Sequence, residues 1–211
     1  QKKSKTIGLH LDRATMTQIF VILLVATACG GVIFNSTTVA MPKIFDERLR
    51  MLTETNVGIG ALVAVVYSVA AFAQVVMGTL MSRYDMKHLM VGVGLVQVPL
   101  LFGAATLDGW PMLVIPLLMM MAIFGQIPLN DGIVGKYVAD EYRARVLSVR
   151  YVVSLGVASV AVPMIAVLHR TECGFRIVFL VLGVLASAIF VSALFFPSRR
   201  RMQTAQAAAA L

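Results

Sequence analysis

Two residues stand out for the chemistry they could do, because of where they sit. Asp131 and Arg150 each interrupt an otherwise apolar run. A charged side chain at the centre of a membrane helix costs roughly 2.5–3.5 kcal/mol on insertion scales. Asp131 precedes Lys136 by five residues, and Arg150 follows Arg145 by five. At about 1.5 Å per helical residue, both lie roughly 7–8 Å inside the same boundary. The two runs are consecutive and briefly connected, hence antiparallel, so the charges are expected to meet as an ion pair. Such a pair could serve as a latch that opens and closes in a conformational cycle. The plainer alternatives are a static pair, or Arg150 reaching out to lipid phosphates along its apolar stem.

Uncharged polar groups are the next candidates, since hydrocarbon tolerates them only when they are satisfied. In the first apolar run Thr27, Gly31, Asn35 and Thr38 recur at offsets of four, four and three, which keeps them on one helix face. Such a stripe suits the wall of a water-filled cavity, Asn35 above all, with two donors and an acceptor. Small and hydroxyl residues equally suit a close packing face. In the second run Tyr67 and Gln74 share a face with Ala71 and could bond a solute or a neighbouring helix. In the fourth, Gln126 and Asn130 are four apart, with Gly125 and Gly132 nearby and Pro128 between them. The proline predicts a bend, and the amide pair fits either a cavity wall or interhelical glue.

Other chemistries find little support. His10, His88 and His169 all fall in loops or at run ends, so no histidine proton relay is expected. Asp131 is the one acid well inside a run, and its place towards one end suits a central proton site poorly. Neither Gly-x-Ser-x-Gly nor His-Glu-x-x-His occurs, which argues against an intramembrane protease. Cys29 and Cys173 form no CxxC pair, so neither a disulfide framework nor a metal site is expected. The expectation is a chain that is not an enzyme and needs no cofactor or metal. A permease subunit coupled to a separate ATPase would need a longer coupling loop than 138–145 offers, and no feature supports a scaffold or sensor.

These residues are carried by six apolar runs, each near the roughly 20 residues a membrane helix requires. They cover Thr17–Met41 (stopping at Pro42), Val57–Met81, Leu89–Thr106, Pro111–Val134, Ala144–Leu168 and Phe175–Phe196. The expected class is therefore an all-α membrane protein: a linker at 1–15, a six-helix domain at 16–197 and a tail at 198–211. Of the 211 residues, 59% are hydrophobic and 13% charged, about half the charged share of a soluble domain. Thirteen methionines read as adaptable apolar filling. The last run has only Ser187 and Ser192 as polar side chains and is expected to face lipid over much of its surface. Asp108-Gly109-Trp110-Pro111 predicts a tight turn with an interfacial tryptophan.

The net charge of +8 sits mostly in the short segments between runs, which points to membrane orientation and not to nucleic acid. Twelve Lys and Arg fall on one side, including Arg83, Lys87, Lys136, Arg143 and Arg145, against five on the other. By the positive-inside rule both termini are cytoplasmic, in a plasma membrane of the bacterial inner-membrane kind. The sequence opens with Gln1, so the expectation is that it starts inside a longer protein.

The loop from Gly78 to Lys87 resembles the signature loop of the major facilitator superfamily: Gly78, Arg83 and Lys87 match, whereas Ser82 and Asp85 replace the family's Asp and Gly. Arg143-Ala144 stands where the family often has Arg-Gly, and Gly156 and Pro163 follow at its spacing. Val162 replaces the glycine that the antiporter form wants before the proline. The resemblance is to the C-terminal six helices. It implies one half of a secondary transporter that moves a small organic solute by alternating access, proton-coupled, with drug efflux as one form. It also implies an N-terminal six-helix half as partner, the first and fourth helices lining the cavity, and the third and sixth facing outward. Since six helices alone would leave the Asn35 face to lipid, this chain is not expected to transport alone.

Overall fold

The computed structural model describes residues 13–49, 55–138, 140–170 and 174–197. Among them are six helices: α1 Arg13–Arg48, α2 Asn56–Arg83, α3 Met86–Thr106, α4 Pro111–Tyr137, α5 Asp140–His169 and α6 Phe175–Leu194. All six are long and apolar enough to cross a membrane, and no strand occurs among the described residues. The chain is thus a multi-pass membrane protein with the expected half-bundle of six helices. The tail 198–211, most of the linker 1–15, and Cys173 lie outside the described residues. α1 begins at Arg13, inside the span read as linker.

Local chemistry accounts for most ends. Thr55 caps α2 by accepting from the Gly58 amide at 3.2 Å, as a β-region threonine at an N-cap should. Gly109 adopts φ +72°, the left-handed conformation that glycine takes without steric penalty. Pro111 then opens α4 where its missing N–H costs nothing.

One boundary is corrected. Pro42 does not end α1, which continues through it to Arg48. Proline inside a helix leaves the carbonyl four residues earlier without its donor. Here that carbonyl is Thr38 O, and the Tyr67 hydroxyl donates to it at 2.7 Å. A side chain from α2 thus replaces the missing backbone bond, and the helix survives.

The six helices pack in a pattern that the chain order does not suggest. α1, α4, α3 and α6 form a closed ring of neighbours; α2 flanks α4, and α5 flanks α1. Exchanging α1 with α4, α2 with α5 and α3 with α6 leaves this neighbour pattern unchanged. With three helices per unit the two triplets run in opposite directions, an inverted repeat within one bundle. α5 is the least covered member: only Ala161 is buried along its length.

The α3–α6 seam shows how close the ring packs. A Cβ at Gly94 would lie 2.9 Å from the Phe190 ring, and one at Gly183 would lie 2.9 Å from the Phe102 ring. Each glycine accepts a phenylalanine from the other helix, so α6 packs one apolar face on α3 and α1, while Leu180, Val184, Val191 and Leu194 leave its other face exposed. Ser187 and Ser192 return their hydroxyls to the α6 backbone, donating to Gly183 O at 2.8 Å and Ile189 O at 2.7 Å. Gly183→Ala is expected to cost about 1–2 kcal/mol by overpacking. Gly60→Ala, where nothing lies within 4 Å, should be neutral or slightly stabilising. Denaturant unfolding of the detergent-solubilised chain measures both; equal effects would mean that the seam is loose.

Candidate functional site

A cavity of about 210 Å³ opens between α1, α4 and α5. α1 contributes Thr27, Gly30, Gly31, Phe34 and Asn35; α4 contributes Gln126, Asn130 and Asp131; α5 contributes Arg150, Tyr151 and Ser154. The offset of four between Gln126 and Asn130 places both amides on the α4 face that meets α1. Gly30 makes their approach possible, since a Cβ there would stand 3.1 Å from Gln126 Nε2.

The electrostatics of the cavity are uneven. Arg150 Nη1 donates to Asp131 Oδ1, forming the ion pair expected from the spacing. The arginine is largely buried, at 15% side-chain exposure, and the aspartate is about half exposed. Farther along the same wall, Thr27 Oγ1, Gln126 Nε2 and Asn130 Oδ1 are buried with no hydrogen-bond partner among the described residues. Native interiors rarely leave such groups unmatched; Ser36, Thr38, Gln97 and Arg143 also carry unmatched buried polar atoms, and the trio differs from them in lying together on one cavity. Asn35 is partly spent, because its Nδ2 donates to Gly31 O at 2.8 Å.

Of the residues singled out in the sequence, Asn35, Gln126, Asn130, Asp131 and Arg150 come together on this cavity. Thr38, Tyr67 and Gln74 do not line it. Thr38 contributes the carbonyl that Tyr67 holds, and the Tyr67 ring stacks on Phe124 with centroids 6.2 Å apart. Tyr67→Phe should cost about 1 kcal/mol, the usual net value of one hydrogen bond. That cost should largely vanish in a Pro42→Ala background, where residue 42 regains the N–H that bonds Thr38 O. A double-mutant cycle on unfolding free energies reads this coupling, and equal costs in the two backgrounds would refute it.

The loop motif residues separate. Arg143 Nη2 donates to Gly135 O at 2.9 Å and pairs with Asp140 at 2.8 Å, tying the end of α4 to the start of α5. Arg83 and Lys87 flank the α2–α3 turn without a hydrogen bond or ion pair among the described residues, and Gly78 is exposed with open space around it. Gly30 and Ser154 are cavity residues that the pattern reading did not single out. The adjacent glycines Gly30-Gly31 in a membrane run were the available signal for the first; a lone serine offered none. Among the described residues no group of three His, Cys, Asp or Glu side chains could hold a metal ion.

The described residues thus form a six-helix membrane bundle with an inverted triplet repeat and a polar cavity on one side. A family model described as Major Facilitator Superfamily matches residues 23–210. The chain belongs to that superfamily of membrane transporters. No curated protein matches the chain.

Proposed function

We propose that this chain is one half of a secondary active transporter that carries a small organic solute by alternating access, with proton coupling and drug efflux as its form. The observation that carries this reading is the trio of unpartnered buried polar atoms, Thr27 Oγ1, Gln126 Nε2 and Asn130 Oδ1, on one cavity. Three uncharged polar atoms beside the apolar walls of Phe34, Ile123 and Ile127 suit a neutral or amphipathic molecule better than a highly charged one.

A second six-helix half is the proposed partner. A wall bearing Asn35, Asp131, Arg150 and Ser154 is too polar to face lipid tails, and α5 beside it leaves Tyr151, Val152 and Leu155 exposed. Covering this side would close the cavity and bury that apolar surface together. The basic end of the bundle, with Arg83, Lys87, Lys136 and Arg145, then faces the cytoplasm of a plasma membrane.

The test is transport by the full coding sequence that contains this chain, in energised vesicles, against a panel of neutral amphipathic solutes. Uptake should collapse with a protonophore. Gln126→Ala and Asn130→Ala should each lower it about tenfold, the equivalent of one lost hydrogen bond, and Gly60→Ala should leave it intact. Uptake unchanged by both cavity substitutions would remove the cavity from the reading.

A further inference from the structure

A second concavity lies on the other side of α4. It is larger, about 650 Å³, and is walled by α2, α3 and α4. Gly125 of α4 lines this groove and the next residue, Gln126, lines the polar cavity, so the helix separates the two. The groove is apolar except at one end, where His88 enters its wall. Along α3 its lining runs from His88 to Leu100. At 1.5 Å per residue that is about 18 Å, close to the roughly 15 Å depth of one leaflet's hydrocarbon.

The polar end is also positively charged. Arg83 closes α2 and Lys87 opens α3, immediately beside His88. None of the three has a hydrogen bond or ion pair among the described residues, and with Asp85, between them in sequence, counted as one negative charge against Arg83 and Lys87 the cluster stays net positive. Midway along, Gly92 lines the groove with nothing within 4 Å of where a Cβ would stand. The apolar wall is therefore open at that level.

We propose that this groove is a binding site for an anionic phospholipid. One acyl chain lies along α3 from His88 towards Leu100, and the headgroup phosphate meets Arg83, Lys87 and His88. Apolar fit alone would not select a lipid, because the surrounding bilayer offers the same environment. Selection comes from the cations, since basic pockets between membrane helices retain anionic headgroups. The combination of one-leaflet length, an unfilled apolar wall and uncompensated cations at one mouth suits a phospholipid better than a protein helix, which would bring its own polar ends to both mouths.

The test uses the purified chain in nanodiscs of equal parts phosphatidylcholine and phosphatidylglycerol, followed by native mass spectrometry of retained adducts. Phosphatidylglycerol should be retained about fivefold or more over phosphatidylcholine, the preference that one well-placed cation supplies. The triple variant Arg83→Ala/Lys87→Ala/His88→Ala should abolish the preference. Gly92→Phe, which fills the groove into open space, should lower retention of both lipids while circular dichroism stays unchanged. Lys136→Ala, at the same end but on α4 away from the groove, should leave the preference intact. Equal retention of the two lipids by the unaltered chain overturns the proposal, as does a preference that survives the triple variant. Loss of preference in Lys136→Ala to the same degree would reduce it to diffuse surface charge, and a retained polypeptide mass in place of lipid would give the groove to a protein partner.

Discussion

Arg48→Met is expected to destabilise the bundle by about 2–4 kcal/mol, because one guanidinium serves three elements at once. Its Nη1 donates to Ala104 O and, at 3.2 Å, to Leu107 O, carbonyls at the end of α3 that lack helical partners. Its Nε faces Asp108 at 3.4 Å, in the turn before α4, and its carbon stands 5.6 Å from the Phe179 ring of α6. The side chain is only 13% exposed, whereas Asp108 is 76% exposed. An exposed carboxylate contributes about 0–1 kcal/mol to such a pair, while a buried carbonyl stripped of its donor, as Ala104 O would be, costs about 1–3 kcal/mol. The carbonyls therefore dominate, and Asp108→Asn should cost less than about 1 kcal/mol. Arg48→Lys should recover only part of the loss, since an ammonium lacks the planar fork. Denaturant unfolding of the solubilised chain ranks the three. If Asp108→Asn proved as costly as Arg48→Met, the ion pair and not helix capping would be the bond that counts.

The second large effect belongs to Asp131 and Arg150. Removing either partner should cost about 2–3 kcal/mol, below the 3–5 kcal/mol of a fully buried pair because Asp131 is half exposed to the cavity. Arg150→Met alone leaves a carboxylate on the cavity wall; Asp131→Asn alone leaves a largely buried guanidinium. Removing both together should be nearly neutral, as paired charges often are when replaced as a unit. The swap Asp131→Arg/Arg150→Asp should restore stability to within about 1 kcal/mol of the original. Unfolding free energies of the four chains close the cycle. Strictly additive losses would mean that the two residues do not act on one another. In a transport assay of the full coding sequence the same set separates a static pair from a latch: transport lost in the swap while stability returns would assign the pair a role in the conformational cycle.

The Asp131–Arg150 pair was legible because its logic is local and one-dimensional. Two costly charges at equal depth on consecutive antiparallel helices have few ways to be satisfied. The six spans were legible for a similar reason, since hydrocarbon sets their length and composition, and the Gly109 turn followed from backbone sterics.

Arg48 was not legible: by position it was one of five charges on the sparser side, and only the fold brings α3, α6 and the α3–α4 turn around it. Tyr67 read as bonding either a solute or a neighbouring helix, and the structure takes the second: the carbonyl it serves was freed by a proline on α1. That this bond would carry α1 past Pro42 was not visible. Membership of the cavity was largely visible, through Thr27, Gly31, Asn35, Gln126, Asn130, Asp131 and Arg150, and hidden only in residues such as Gly30 and Ser154. What the sequence by itself determined is what each segment must do in a bilayer: span, turn, or pair a charge. Which helix lies beside which was decided by lateral packing alone. Between apolar helices in lipid there is no large hydrophobic driving force to read from composition, and close fits such as Gly94 with Phe190 and Gly183 with Phe102 select the neighbours.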